Sequence, residues 1–137
     1  MATTFSIITV CYNAAKCIEP TIASLSAQTW PSIDFVVVDG NSKDGTQAIV
    51  RRHAERVSTF VSEPDQGIFD AMNKGTRLAK GDVLLCELMP LNHFVLFIQH
   101  FNNYCHNTAS LNLRLNACAV CCVTPDKVKW LIKPCLS

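Results

Sequence analysis

Three short stretches of this chain hold residues that can do chemistry. In "ITVCYN", Ile8–Asn13, an aromatic ring and an amide follow an apolar run. A ring so placed can stack on a planar base, and backbone groups of Thr9 and Val10 can bond the edge of that base. The same residues also suit an ordinary strand-to-helix turn. In "VVVDGNSKDGT", Val36–Thr46, three valines lead into Asp39, and Gly40 lets the chain turn. A carboxylate there can accept from a ribose hydroxyl or a base N–H. It equally suits a turn or a helix cap, as does Asp44. In "SEPDQGIFDAMNKG", Ser62–Gly75, Asp65 stands in a tight Pro-Asp-x-Gly loop, with Lys74 and then Arg77 beyond it. A cation in that place can approach a phosphate, or sit on a solvated face.

These residues need elements to hold them, and residues 1–85 are well punctuated. Phe5–Val10 reads as a buried strand and Ala14–Gln28 as a helix with Ile18, Ile22 and Leu25 inward. Ile33–Val38 reads as a second strand. A helix follows to about Arg56, capped by Ser42 or Asp44, with Ala48, Ile49 and Ala54 inward. Ser58–Val61 reads as a third strand and Gly67–Ala79 as a helix with Ile68, Ala71, Met72 and Leu78 inward. Asp82–Leu85 is a fourth strand. Strands alternating with helices predict an α/β fold with a mostly parallel sheet. Ligands of such sheets sit at the carboxyl ends of strands, here Val10–Asn13, Asp39–Ser42, Ser62–Asp65 and Cys86–Leu88.

Residues 86–137 read differently. They carry six charged residues against seventeen in the first 85, and none of the five glycines. Glycine serves tight turns and helix ends, so its loss predicts an irregular tail rather than continued α/β architecture. Six of the eight cysteines lie there. Cys118-x-x-Cys121 with Cys122, Cys105, His106 and Cys135 could bind zinc, but a second well-spaced pair is missing. The abrupt change near Cys86 also suits a shifted reading frame or a replaced C-terminus.

The totals exclude several classes. A net charge of +1 gives no general field for nucleic acid. No stretch offers about 20 uninterrupted apolar residues for a membrane span. The nearest, Val83–Ile98, contains Glu87, Pro90, Asn92 and His93. No signal peptide is expected, so the cysteines are read as reduced thiols of a cytoplasmic protein. Neither G-x-G-x-x-G after the first strand nor G-x-x-x-x-G-K-[ST] occurs, which disfavours a glycine-rich phosphate loop.

Taken in order, "SIITVCYNA", "ASLSAQTWPSIDFVVVDGNSKDGT" and "EPDQGIFDAMNKG" resemble the N-terminal half of family 2 glycosyltransferases with the GT-A fold, in particular bacterial members that build polysaccharide or lipopolysaccharide. The resemblance runs from Phe5 to about Leu85. It implies a Rossmann-like nucleotide-sugar-binding half-domain over 1–85. It implies a UDP-, dTDP- or GDP-linked sugar donor and a glycan or lipid-linked acceptor. The reaction implied is inverting transfer to an acceptor hydroxyl, in the cytoplasm or peripherally at the inner membrane face. Thr9, Val10, Tyr12 and Asp39 would hold the nucleoside, with Asp65 and Lys74 beside it. Relatives often carry two consecutive acids where this chain has Asp39-Gly40, and an arginine where it has Met72. They also carry an Asp-x-Asp or Asp-Asp element after the fourth strand that holds Mg²⁺ or Mn²⁺ against the diphosphate. Here Glu87 stands alone, with no further acid until Asp126. Glu87 is thus the single metal candidate. No residue is assigned as the catalytic base. A catalytically inactive remnant, or a nucleotide-binding module without transfer, is the alternative reading.

Overall fold

The structure is a computed structural model and describes residues 4–88, 123–124 and 127–128. The elements run β1 (Phe5–Cys11), α1 (Ile18–Ser26), β2 (Ile33–Asp39), α2 (Thr46–Arg52), β3 (Thr59–Ser62), α3 (Ile68–Leu78) and β4 (Val83–Leu88). Two short strands, β5 (Val123–Thr124) and β6 (Lys127–Val128), pair antiparallel with each other. The zinc reading and most of the tail lie outside the described residues.

The four main strands form one parallel sheet in the order β3-β2-β1-β4. All seven residues of β1 are buried, as a central strand covered on both faces requires. Alternation splits its side chains between two apolar layers. Phe5, Ile7 and Cys11 join Phe35, Val37 and Leu85 on one face, with Ile18, Ile22 and Leu25 of α1 and Val50 of α2. Ile8 and Val10 join Val36, Val38, Leu84 and Cys86 on the other, with Ala71 and Met72 of α3. The sheet is therefore covered by helices on both faces.

Gly75 sets how closely α3 lies on the sheet. A Cβ there would run into the Cγ2 of Ile8, well inside contact distance. At the far end, Trp30 stands edge-on to Phe5 with ring centroids 5.4 Å apart.

Some expectations change, and α1 begins at Ile18 rather than Ala14. The helix after β2 is shorter than expected, and it buries Thr46 and Val50, while Ala48 and Ala54 face solvent. Strand β4 runs three residues past Leu85. Glu87 is thus inside the ladder, paired with Thr9, rather than beyond its end.

Candidate functional site

The carboxyl ends of β1, β2 and β3 meet at one rim, and Asp39 ties them together. Its carboxylate is fully buried. Oδ2 accepts the Ser42 backbone N–H at 2.9 Å and the Ser62 hydroxyl at 2.7 Å. Oδ1 accepts the Ser42 hydroxyl and the Cys11 thiol, the latter at 3.6 Å. Burial, and then the neighbouring Asp39 charge, push the Cys11 thiol far above its ordinary range. It therefore stays a protonated donor rather than a nucleophile.

The loops are latched to one another above this point. The Gly40 N–H bonds the Cys11 carbonyl at 2.9 Å, and the Asn13 N–H bonds the Ser42 hydroxyl oxygen at 2.7 Å. Tyr12 lies between these two latches. The Glu63 N–H bonds the Asp39 carbonyl at 3.0 Å and brings in the third loop. Asn13 and Asn41 take positive φ, 48° and 64°, each two residues past the end of its strand, β1 or β2. Asparagine tolerates that region better than most residues, so both loops can turn sharply at the rim.

The result is an open recess of about 410 Å³ lined by Tyr12, Gly40, Asn41, Lys43, Pro64 and Asp65. That volume lies within the range of small-ligand sites, about 300–1,000 Å³. Tyr12 is 66 % exposed, an unusual place for a large ring. Asp65 Oδ1 accepts the Gly67 N–H at 3.0 Å. Among the described residues, Lys43 Nζ bonds the Asn41 side-chain oxygen alone, at 3.0 Å.

The residues expected from the sequence divide into three groups. Tyr12 and Asp65 come together on the recess wall. Thr9, Val10 and Asp39 are buried beneath it and do not line it. Lys74 stands behind the loop: its ammonium bonds the Pro64 carbonyl at 2.9 Å and pairs with Glu63 at 3.1 Å and Asp70 at 3.4 Å. The bond to Glu63, with that to Asp70, raises the Lys74 pKa above its usual value. Lys74 thus pins the Asp65 loop to α3. Lys43, which sequence reasoning passed over, lies four residues past Asp39 on the same rim. That offset from a strand end is the signal that could have found it.

The register also places Glu87. Its partner Thr9 pairs on the other side with Val37, two residues before Asp39. The Glu87 backbone therefore lies about 6.6 Å short of the rim, at about 3.3 Å per residue. Among the described residues, no three His, Cys, Asp or Glu side chains are grouped to hold a metal ion. Glu87, the acid of β4, is thus placed by its backbone register alone. Among the described residues, too, no helix is long and apolar enough to cross a membrane.

Known proteins resemble this arrangement. A mannosyltransferase from Pyrobaculum calidifontis, solved with GDP-Man and Mn²⁺, superposes with a TM-score of 0.60 at 30% identity, over 64% of this chain and 28% of that one. Staphylococcus aureus TarS, residues 1–349 with UDP-GlcNAc, gives 0.58 at 28% identity, over 62% and 26%. An uncharacterised glycosyltransferase of Mycobacterium tuberculosis is 37% identical over 84 residues, 61% of this chain and 32% of the relative. A PGL/p-HBAD biosynthesis glycosyltransferase of Mycobacterium bovis matches at the same identity, over 59% and 33%. The chain thus spans about a third of the length of these curated relatives. The sheet order and flanking helices are those of the N-terminal half of the GT-A fold. The family model for glycosyl transferase family 2 matches residues 6–86, more than half of the chain, and the chain therefore belongs to that family.

Proposed function

We propose that the recess at the carboxyl ends of β1–β3 holds the nucleoside diphosphate of a sugar-nucleotide donor. The observation that carries this reading is the 66 % exposed Tyr12 ring, latched on both sides and facing a recess that also presents Asp65. An exposed aromatic ring held rigid offers a stacking surface at little entropic cost. Asp39 serves from beneath by fixing the three loops, with Thr9 and Val10 in the sheet under them. Lys43, with one neutral partner, is the cation nearest to hand for a phosphate. Lys74 contributes by fixing the Asp65 loop.

The whole reaction we propose is inverting transfer of the sugar to an acceptor hydroxyl, in cell-surface polysaccharide synthesis. The mannosyltransferase neighbour was solved with Mn²⁺, and a divalent cation would neutralise the leaving diphosphate. Binding without transfer is the second reading. It is favoured by the register of Glu87, which sets the one acid of that strand short of the rim.

Calorimetry with UDP, dTDP and GDP, with and without Mn²⁺, tests the site. Binding of one of them, weakened about tenfold or more by Tyr12→Ala, is the expected result, since stacking one base contributes about 1–3 kcal/mol. Equal affinity of wild type and Tyr12→Ala would remove the site reading. Release of free sugar from a sugar nucleotide, only with Mn²⁺, favours transfer over the second reading.

A further inference from the structure

Position 40 follows the buried Asp39, and the glycine there is explained by space. Gly40 is not among the residues at positive φ, so its backbone would accept any side chain. Its surroundings would not. A Cβ at Gly40 would meet Asp65 Oδ2 at 2.6 Å and the Tyr12 ring at 3.3 Å. The first distance is a clash and the second a tight contact. The carboxylate of Asp65, carried by the loop after β3, therefore occupies the volume that a side chain at the end of β2 would fill.

That carboxylate is fixed and half satisfied. Oδ1 accepts the Gly67 N–H at 3.0 Å, and the loop behind it is held by Lys74 on the Pro64 carbonyl. Oδ2 receives no hydrogen bond among the described residues. A carboxylate oxygen can accept two, so Oδ2 is an open acceptor on a rigid mount. It stands within 3.3 Å of the same point as the Tyr12 ring.

We infer that Asp65 reads the base, and that it selects a pyrimidine imide, uracil or thymine, over guanine and cytosine. This inference rests on the nucleotide-site reading above. A base stacked on Tyr12 turns its pairing edge toward Asp65. Uracil and thymine present one donor in the middle of that edge, N3–H, which matches one open oxygen. Guanine presents two adjacent donors, N1–H and an N2–H, which pair best with both oxygens of a carboxylate. Here Oδ1 already serves Gly67. Cytosine turns a bare N3 lone pair toward Oδ2, and two acceptors face to face repel. Gly40 is then a specificity residue by absence: it leaves the room that Asp65 takes.

The test is calorimetric titration of the full chain with UDP, dTDP, GDP and CDP, for wild type, Asp65→Asn, Gly40→Ala and Tyr12→Ala. UDP or dTDP is expected to bind about tenfold or more tightly than GDP and CDP, the factor that one good hydrogen bond carries. The tighter of UDP and dTDP names the donor base. Asp65→Asn should weaken the imide nucleotides about tenfold and raise CDP relative to UDP, because an asparagine amide can donate to cytosine N3. Gly40→Ala should weaken the imide nucleotides by pushing Oδ2 aside while Asp65 is still present. Tightest binding of GDP overturns the inference. So does an unchanged UDP-to-CDP ratio in Asp65→Asn. In both of those cases Tyr12→Ala still weakens binding and the site reading survives. If wild type binds none of the four nucleotides, the site reading falls, and this inference with it.

Discussion

Replacing Asp39 with asparagine separates a buried organiser from a surface contact. The four donors on Asp39 fill the roughly four acceptor positions that a carboxylate has. In asparagine one oxygen becomes an NH₂ group. The Ser42 backbone N–H cannot become an acceptor, so the amide oxygen must stay on the Oδ2 side with Ser42 N–H and Ser62. The NH₂ then faces the Ser42 hydroxyl, which already accepts from Asn13, and the Cys11 thiol, a weak acceptor. Bonds to a charged acceptor contribute about 1.5–3 kcal/mol and neutral ones about 0.5–1.5. The Ser42 N–H and the Ser62 hydroxyl each lose roughly 1 kcal/mol of that difference, and the Ser42 hydroxyl, left without its acceptor, costs about 1 kcal/mol more, about 3 kcal/mol together. Removing a buried charge returns part of it, leaving a net loss of about 2 kcal/mol. Urea unfolding followed by circular dichroism should show a midpoint lowered by about 1 M, taking a slope of about 2 kcal/mol per M. Ser62→Ala, which removes one of the four donors, should cost about half as much. A midpoint for Asp39→Asn within about 0.2 M of wild type would refute the four-donor network, as would a larger loss from Ser62→Ala.

Two further outcomes follow from the same rim and the helix packed beneath it. Gly75→Ala drives a methyl into Ile8 at the α3–β1 contact and should destabilise by about 1–3 kcal/mol, read by the same urea titration; an unchanged midpoint would mean that α3 does not lie so close. Asp44 accepts the Thr46 hydroxyl and the Ala15 N–H, and these bonds hold its carboxyl below the ordinary value of 3.8. A carboxylate lowered in this way stabilises above its unfolded value, and the effect is lost as pH falls through the folded value. The melting-temperature gap between wild type and Asp44→Asn should thus be constant near neutral pH and close below about pH 4, whereas a gap that persists into strong acid would show that the charge plays no part.

The sheet was legible because its strands are continuous apolar runs, and β1, β2 and β3 lie within a residue of where those runs put them. Helix α1 was legible from Ile18, Ile22 and Leu25, all buried. Helix α2 was misread because it is only two turns long. Over so short a span alanines fit several faces, and the sheet chose the one bearing Thr46 and Val50, with Ile49 packed against the same core as expected. Ile68 was read as inward from its spacing in α3, yet it is 44 % exposed, because it opens the helix at the rim, beyond the sheet. Gly75 carried no signal at all as a packing residue. Its role depends on a side chain of β1 almost seventy residues away.

The site shows the same limit more sharply, in its two carboxylates. Asp39 and Asp65 are both acids that follow a β-branched residue or a proline at a strand end, and nothing in their neighbours ranks one above the other. What separates them is the supply of donors. Asp39 receives one from Cys11, two from Ser42 and one from Ser62, carried by three different strand ends that only the fold brings together. Among the described residues Asp65 receives one, from its own loop. A saturated buried carboxylate has no lone pair left for a ligand, and its chemistry is to hold the loops still. A carboxylate with one oxygen anchored and one open can be aimed. The acid that looks most like a strand-end binding residue is thus the clasp, and the acid in the less regular loop is the one with an oxygen to offer. Gly40 lies between them in space, small enough to let the second stand where a side chain following the first would otherwise be.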